Sequence, residues 1–332
     1  MIYLNSPSTD PKFNLALEQY VFEEMDKGQE YFMLWQNANT IVVGKNQNTF
    51  EEINHKKVEE KDVTVVRRLS GGGAVYHDMG NLNFTFIMDA KNTSELDIHL
   101  FCQPVADLLQ KLSVPAEVNG RNDILIEGRK FSGNSQYLRK GRVMHHGTIM
   151  FESDLETVAE VLNVAGEKFQ SKATKSVRSR VTNIKPYVGD MTLPEFKKSL
   201  ISYILEDKIE EYTLTEADIK RIEEIKKERY ELWEWNYGKS ANYAMQESCR
   251  IEGFGKIEVK MNVEDAKISE LVIFGDFFGS FDLDDIVGAL VGVELKEDEI
   301  KKALQPFDIG KYFHNLEGEQ FVQILLGKYE TA

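Results

Sequence analysis

The chain of 332 residues has few cysteines and a deficit of positive charge. Its two cysteines, Cys102 and Cys249, lie far apart and form no CxxC pair, which excludes a disulfide framework and argues against a thiolate zinc site. Lys and Arg number 40 against 55 Asp and Glu, a formal net charge of −15. Such a charge argues against nucleic-acid binding through bulk attraction to phosphate.

Long apolar runs are also missing. None approaches the roughly 18 residues of a membrane span. The N-terminal stretch MIYLNSPSTDPKFNL has neither the basic start nor the apolar core of a signal peptide. We therefore expect a soluble protein of the reducing cytoplasm with no membrane partner. The 42% hydrophobic content is enough for packed cores, and the length favours two domains.

Short strand-like runs dominate the first half of the chain. They are YFMLW (31–35), TIVVG (40–44), VTVV (63–66), LNFTFIM (82–88), DILIEG (123–128) and MHHGTIMF (144–151). Helical patterns occupy 13–26, 99–113 and 155–163. Because strands outnumber helices and follow one another in close pairs, the sequence predicts an α+β fold with mixed, partly antiparallel sheets and packed helices.

The sequence pattern changes near residue 240. Residues 194–234 are helical and charged, whereas 255–279 alternate like a small antiparallel sheet, with helical patterns after them. From residue 241 onward there are 9 Lys and Arg against 18 Asp and Glu, a more acidic balance than before. We predict a larger domain over 1–240 and a small α+β accessory domain over 241–332.

The stretch RRLSGGGAVYHD (67–78) is the first candidate for a site. Three glycines leave backbone amides open to close approach by an anion or an acyl group, although they would serve equally well in a hairpin turn. Their spacing matches neither GxxxxGK[ST] nor GxGxxG. Alternation along the preceding strand predicts that one of Arg67 and Arg68 faces a cleft, where it binds an anion, and that the other is solvated.

Polar residues between apolar strands mark two more candidates. In GRNDILIEGRKFSGNSQY (120–137), Asp123 opens a strand and Lys130 begins the next, which suits the floor of a cleft, although a solvated turn lysine is the default. In HHGTIMF (145–151) only one of His145 and His146 can face the same cleft. No third ligand has metal spacing, so we exclude zinc.

The stretch KATKSVRSRVTNI (172–184) carries an island of positive charge in an acidic chain, formed by Lys172, Lys175, Arg178 and Arg180. A solvated loop would be the ordinary interpretation. In so acidic a protein we expect it to meet an anionic partner or a polyphosphate.

Taken in order, these blocks resemble the lipoate–protein ligases, in the bacterial form with a C-terminal accessory domain. The resemblance extends to about residue 330. It implies a catalytic domain related to biotin ligases over 1–240, which binds lipoate and ATP with Mg²⁺ and forms lipoyl-adenylate. It also implies transfer of the lipoyl group to a lysine of apo lipoyl domains, including 2-oxoacid dehydrogenase E2 subunits and the glycine cleavage H protein.

The resemblance also assigns roles to residues. Lys130 matches the central lysine of the family, and Asp123 matches an acidic residue near phosphate and metal. The expected substrate- and adenylate-binding residues are Arg68, Ser70, Gly71, Gly72, Gly73, His77, Asn81, Asn83, Ser132, Gly133, His146, Gly147, Thr148 and Arg180.

Three rival functions are weighed against this hypothesis. Octanoyl or lipoyl transferases of related fold need a cysteine nucleophile, yet Cys102 lies in a helical apolar stretch and Cys249 in the accessory region. The GRGRxG-type loop of biotin ligases is absent. A non-catalytic adenylate-binding module stays open, and lipoate-dependent exchange between ATP and pyrophosphate separates it from a ligase.

We predict that the double variant Cys102→Ser, Cys249→Ser keeps its ligase activity, because an adenylate mechanism needs no thiolate. The measurement is lipoylation of an apo lipoyl domain by mass. Loss of acyl transfer by a folded double variant would favour the cysteine transferase instead.

Overall fold

The structure, a computed structural model, describes residues 1–90, 98–119, 122–163, 180–206, 208–237 and 245–329. Its strands are β1 (Ile2–Asn5), β2 (Tyr31–Trp35), β3 (Thr40–Val43), β4 (Thr64–Arg67), β5 (Val75–His77), β6 (Asn81–Asp89), β7 (Ala116–Asn119), β8 (Asp123–Ile126), β9 (Arg129–Arg139), β10 (Arg142–Met150), β11 (Glu210–Glu211), β12 (Met245–Ile251), β13 (Gly255–Glu264) and β14 (Lys267–Gly275).

The α-helices are α1 (Pro11–Glu23), α2 (Thr49–Glu52), α3 (His55–Glu60), α4 (Ile98–Lys111), α5 (Leu155–Val161), α6 (Leu193–Ile204), α7 (Glu216–Ile225), α8 (Trp233–Tyr237), α9 (Leu283–Leu290), α10 (Glu297–Leu304), α11 (Ile309–Tyr312) and α12 (Gly318–Leu325). A 3₁₀ turn covers Lys185–Tyr187, and a π-helical turn, Lys226–Tyr230, extends α7. None of the helices in these described ranges is both long enough and apolar enough to span a bilayer.

Three sheets organise the described chain. The largest has eight strands in the order β11-β1-β2-β6-β10-β9-β8-β7, parallel at the β11, β1 and β2 end and antiparallel elsewhere. A small sheet β4-β3-β5 lies between β2 and β6 in the sequence, with one parallel and one antiparallel pair. The antiparallel sheet β12-β13-β14 belongs to the C-terminal part. The predicted α+β class with mixed sheets is confirmed.

Helix α1 shows how local sequence places a buried element. Asp10 accepts a hydrogen bond from the Lys12 amide (2.9 Å), and Pro11 occupies the first turn, where its missing N–H costs nothing. Apolar residues at helical spacing bury the helix against β2, β4 and β10. The helix also buries polar residues, among them Asn14 and Glu18, each 1% exposed.

The C-terminal part has its own apolar core, formed by β12–β14 and α9–α12 between Phe254 and Leu325. It also touches the glycine loop between β4 and β5. The Gly72 amide donates to the Phe277 carbonyl (3.4 Å), and Phe278 is buried within the core of the large sheet. Ion pairs add to this contact, for example Lys260 with Glu51 at 2.8 Å. Sequence patterns gave no sign of these long-range contacts.

The structure corrects one expectation about the two arginines before the glycine loop. We predicted that one of them is solvated, but Arg67 and Arg68 are 5% and 6% exposed. The Arg67 guanidinium donates to the carbonyls of Gly44 (2.8 Å), Gln47 (2.7 Å) and Trp235 (2.8 Å). Because α8 covers the end of β4, backbone carbonyls replace water around this side chain. The alternation of residues along β4 cannot reveal that Arg67 is covered by Trp235, which lies 168 residues later in the sequence.

We predict that Arg67→Met lowers the free energy of unfolding by about 3 kcal/mol, because several buried carbonyls lose their charged donor at once. Urea denaturation measures the change. Arg250→Met is the matched control, since Arg250 is 63% exposed and pairs only at the surface with Asp276 (3.2 Å). It should change stability by less than about 0.5 kcal/mol. Equal effects of the two substitutions would contradict the structural role of Arg67.

Candidate functional site

A cavity of about 100 Å³ lies between the small sheet and the large sheet. Of the predicted site residues it is lined by Arg68, Gly72, Gly73, His77, Asn83, Lys130, Gly133, His146, Gly147 and Thr148. Apolar walls come from Leu15, Trp35, Val42 and Val75, and further polar groups from Asn122, Asn134 and Ser135. The cavity thus joins an apolar wall to a polar one, as expected for a ligand with both kinds of surface.

Other predicted residues lie outside this lining. Ser70, Ser132 and Asn81 are buried, at 1%, 0% and 0% exposed, and Gly71 is half-buried. Asp123 adjoins the site through Lys130, at 2.8 Å. Arg180 is exposed at the end of the basic island, whose Lys172, Lys175 and Arg178 lie outside the described residues. Close by, the Thr182 amide donates to the Lys130 carbonyl (2.9 Å), so Thr182 lies beside the site.

A larger groove of about 860 Å³ lies elsewhere, between α4 and α6. It is lined largely by apolar side chains such as Leu100 and Tyr203, with Lys111 and Asp107 at its border. The smaller cavity brings together the glycine loop, two histidines and Lys130. Polar groups that converge on a cavity identify a functional site better than the volume of the cavity does. We therefore assign the site to the smaller cavity.

The glycine loop takes its shape from Arg68. One guanidinium nitrogen, Nη2, donates to the carbonyls of Gly71 (2.6 Å) and Gly73 (2.9 Å), and Nη1 donates to Val42 (3.2 Å). Burial lowers the pKa of Arg68 to about 10, so it stays charged at neutral pH. In this structure its donors therefore serve the loop, and the expected contact of Arg68 with a ligand stays a prediction.

His77 offers a hydrogen-bond donor to the cavity. Asn14 Nδ2 donates to Asn37 Oδ1 (2.9 Å), which leaves Asn37 Nδ2 to donate to His77 Nδ1 (3.1 Å). The neutral ring must then carry its hydrogen on Nε2, which has no partner in the structure. Burial, with the charge of nearby Arg68, lowers the pKa of His77 to about 3.

Two asparagines on β6 give a second unsatisfied donor. Asn81 Nδ2 donates to Asn83 Oδ1 (2.9 Å), while Asn83 Nδ2 has no partner and belongs to the cavity wall. Asn83 is only 1% exposed. Because unpaired buried donors are costly, His77 and Asn83 together favour a ligand that carries hydrogen-bond acceptors.

Lys130 lies over Gly133. A β-bulge between β8 and β9 shifts the register at Ile124 and Leu125, which brings Lys130 onto the face of Gly133. A Cβ at position 133 would lie 2.8 Å from both Cε and Nζ of Lys130. The amine also lies 2.8 Å from Asp123 Oδ1, and both side chains are 35% exposed. Although their separation is that of an ion pair, the angle is too poor for a hydrogen bond. The amine thus lies at the cavity edge, paired with Asp123 by charge.

Strand β10 closes the cavity as expected. His146 faces the cavity, whereas His145 is 0% exposed and stacks on Phe101 at 4.8 Å. Burial lowers the pKa of His145 well below its usual value. Gly147 must lack a side chain, because a Cβ there would lie 2.1 Å from Asn134 Oδ1. His146 therefore lies at the cavity and His145 away from it, and the binding role of His146 stays a prediction.

Sequence reasoning missed Glu18, Trp35 and Asn37. Trp35 forms part of the apolar wall, and Glu18 lies 3.0 Å from His146 Nδ1. A signal for Glu18 existed: a carboxylate on the buried face of an amphipathic helix demands a partner. Its partner comes from β10, 128 residues later, so the sequence could not name it.

Comparison with known proteins identifies the family. The model of the lipoyl protein ligase A/B catalytic domain matches residues 10–205, and that of the bacterial lipoate protein ligase C-terminus matches 240–325. The chain is 43% identical over 331 residues to the lipoate-protein ligase LplJ of Bacillus subtilis, covering 98% of this chain and 100% of that one. This chain belongs to the lipoate–protein ligase family.

Solved structures show the same fold. LipL1 of P. falciparum, in complex with lipoate, has a TM-score of 0.75 at 24% identity and covers 98% of each chain. The bi-partite ligase of Thermoplasma acidophilum, studied with its E2 lipoyl domain, has 0.64 at 27%, covering 74% of this chain and 98% of that one. A lipoate-protein ligase A bound with ATP has 0.63 at 25%, covering 71% and 97%.

We predict that His77 makes folding stability depend on pH. Between about pH 3 and pH 6.5 the unfolded chain binds a proton at His77 that the folded chain does not, so stability falls as pH drops below 6.5. From pH 7 to pH 5 this contribution should be about 2 kcal/mol. Urea denaturation should show that His77→Gln loses this part of the pH dependence, while His55→Gln, at an exposed position, retains it. Parallel pH profiles for wild type and His77→Gln would contradict the burial of a neutral ring.

Proposed function

We propose that this protein activates lipoate with ATP to form lipoyl-adenylate and then transfers the lipoyl group to a lysine of an apo lipoyl domain. The observation that carries the proposal is the position of Lys130, whose ammonium lies at the edge of a cavity with an apolar wall. Family membership and the ATP-bound relative support the same chemistry.

In the first step a carboxylate oxygen of lipoate attacks the α-phosphorus of ATP. The new O–P bond forms as the bond to the pyrophosphate oxygen breaks, and pyrophosphate leaves with the electron pair. Two anions must meet, so a fixed cation lowers the barrier most where charge accumulates. We assign that task to Lys130, with His77 and Asn83 donating hydrogen bonds to acceptor oxygens.

Mg²⁺ would accompany the nucleotide. Magnesium usually takes one or two protein carboxylates and completes its coordination with water and phosphates. Asp123 fits that need, because it is half-buried beside the cavity and the described residues hold no larger group of metal-ligating side chains. When bound, the ion would screen the charge of the pyrophosphate.

In the second step a neutral lysine amine of the acceptor attacks the acyl carbon. The amide bond forms, AMP leaves with the electron pair of the broken C–O bond, and the amine loses a proton to solvent. The acceptor class is supported by the archaeal ligase studied with its E2 lipoyl domain. E2 subunits and the H protein remain the expected acceptors, and the cytoplasmic location remains a prediction.

The two parts of the chain would divide the work. We propose a catalytic domain over 1–240 and an accessory domain over 241–332. The separate apolar core of the C-terminal part and the two family-model matches support this division.

A cysteine-based transferase finds no support in the geometry. Cys102 is 0% exposed within α4, away from the cavity lining. Cys249 lies on β12, and burial raises the pKa of its thiol, which disfavours the thiolate.

We predict that Lys130→Ala reduces lipoate-dependent exchange between ATP and pyrophosphate on the order of 100-fold, since the positioned cation is removed. The fold should persist because the Lys130 side chain is 35% exposed. Lys140→Ala, at an exposed turn, is the control and should exchange at the wild-type rate. Near-normal exchange by folded Lys130→Ala would refute the assignment, and a wild type without exchange would refute the ligase function.

A further inference from the structure

A chain of buried hydrogen bonds joins helix α1 to the glycine loop. Glu18 Oε1 lies 3.0 Å from His146 Nδ1, and His146 Nε2 lies 2.6 Å from Ser70 Oγ. Ser70 Oγ accepts from Arg68 Nε at 3.0 Å. None of the four residues is more than 7% exposed. Arg68 completes the chain by donating to the carbonyls of the loop.

Neighbouring groups fix the hydrogens of this chain. Trp35 can only donate, so Thr85 Oγ1 accepts its Nε1–H (2.9 Å) and donates its own hydrogen to Glu18 Oε1 (2.5 Å). Glu18 therefore acts as an acceptor and requires a hydrogen on His146 Nδ1. In the neutral ring Nε2 is then bare and accepts from the Ser70 hydroxyl, whose oxygen already accepts from Arg68. Every donor along the chain thus points toward Glu18.

The ends of the chain carry opposite charges. Arg68 brings a buried cation and Glu18 a buried carboxylate, and Ser70 and His146 link them without water. Removing one buried charge while its partner stays leaves the partner uncompensated. The cavity touches the hydrogen-bond chain at His146 and at its Arg68 end, because both residues line it.

We propose that Glu18 is a positioning residue: by fixing the His146 tautomer it orients Ser70 and Arg68, and so presets the glycine loop for the acyl-adenylate. The inference rests on the proposed ligase function. Glu18 itself lies outside the cavity lining and acts on the glycine loop through His146. The loop carbonyls of Gly71 and Gly73 turn toward Arg68, and Gly72 and Gly73 line the cavity.

The first test needs no variant. The chain has six histidines, so ¹⁵N-histidine labelling can resolve the His146 ring in the full-length protein. We expect a hydrogen on Nδ1 and a bare Nε2 at neutral pH. A hydrogen on Nε2 alone, or on both nitrogens, would overturn the proposed direction of the chain.

The second test compares substitutions on one helix. Glu18→Met removes the acceptor at similar volume, whereas Glu18→Gln keeps an oxygen for His146 Nδ1 and should retain the tautomer. We expect Glu18→Met to lose the ¹⁵N signal of a hydrogen on His146 Nδ1. It should also lower kcat of lipoate-dependent pyrophosphate exchange on the order of 100-fold, because the glycine loop is displaced. Glu18→Gln should lose less. Glu23→Met, whose side chain is 29% exposed on the same helix, should match the wild type.

Ser70→Ala keeps the test decisive if Glu18→Met fails to fold. It removes the link between His146 and Arg68 with a small change of volume, and we expect a similar loss of kcat with His146 Nδ1–H retained. Wild-type exchange by Ser70→Ala would overturn the proposal. If the wild type itself shows no lipoate-dependent exchange, the ligase function fails, while the tautomer measurement still decides the direction of the chain.

Discussion

The cavity exists because two strand positions carry no side chain. Gly133 on β9 leaves space that the end of Lys130 occupies, and Gly147 on β10 lets Asn134 cross at a distance that no Cβ would allow. In a paired sheet, side chains of neighbouring strands normally fill this layer. Because Gly133 and Gly147 lack side chains, the large sheet forms a polar wall of the cavity. The glycine loop forms the opposite wall.

Buried cations then shape the walls of this recess. Arg67 ties β4 to α8 and to the segment before α2, while Arg68 gathers the carbonyls of the glycine loop. Neither guanidinium is free in this structure, whereas Lys130, 35% exposed, offers an ammonium to a reacting anion among the described residues that line the cavity. The buried guanidiniums are held in place by their hydrogen bonds. The partly exposed ammonium of Lys130 stays accessible to both substrates.

Local patterns predicted what depends on neighbours in sequence. The run YFMLW coincides with β2, alternation separated His145 from His146, and the glycine-rich and lysine-bearing blocks mark the cavity. These local patterns could not predict contacts between residues that lie far apart in the sequence. The cover of Arg67 by Trp235, the pairing of Glu18 with His146 and the contact of Phe277 with Gly72 depend on tertiary packing. The bulge that turns Lys130 toward Gly133 is likewise invisible in the pattern of apolar residues.

The central claim is that the place of one ammonium group, and not merely its charge, permits activation of lipoate. Gly133→Ala tests this claim most directly, because it keeps Lys130 but puts a methyl group 2.8 Å from its Cε and Nζ. The flexible lysine end can yield, so we expect a stable fold and lipoate-dependent pyrophosphate exchange reduced at least about tenfold. Gly288→Ala, where a Cβ meets nothing within 4 Å, provides the control. Wild-type exchange by Gly133→Ala would contradict the account.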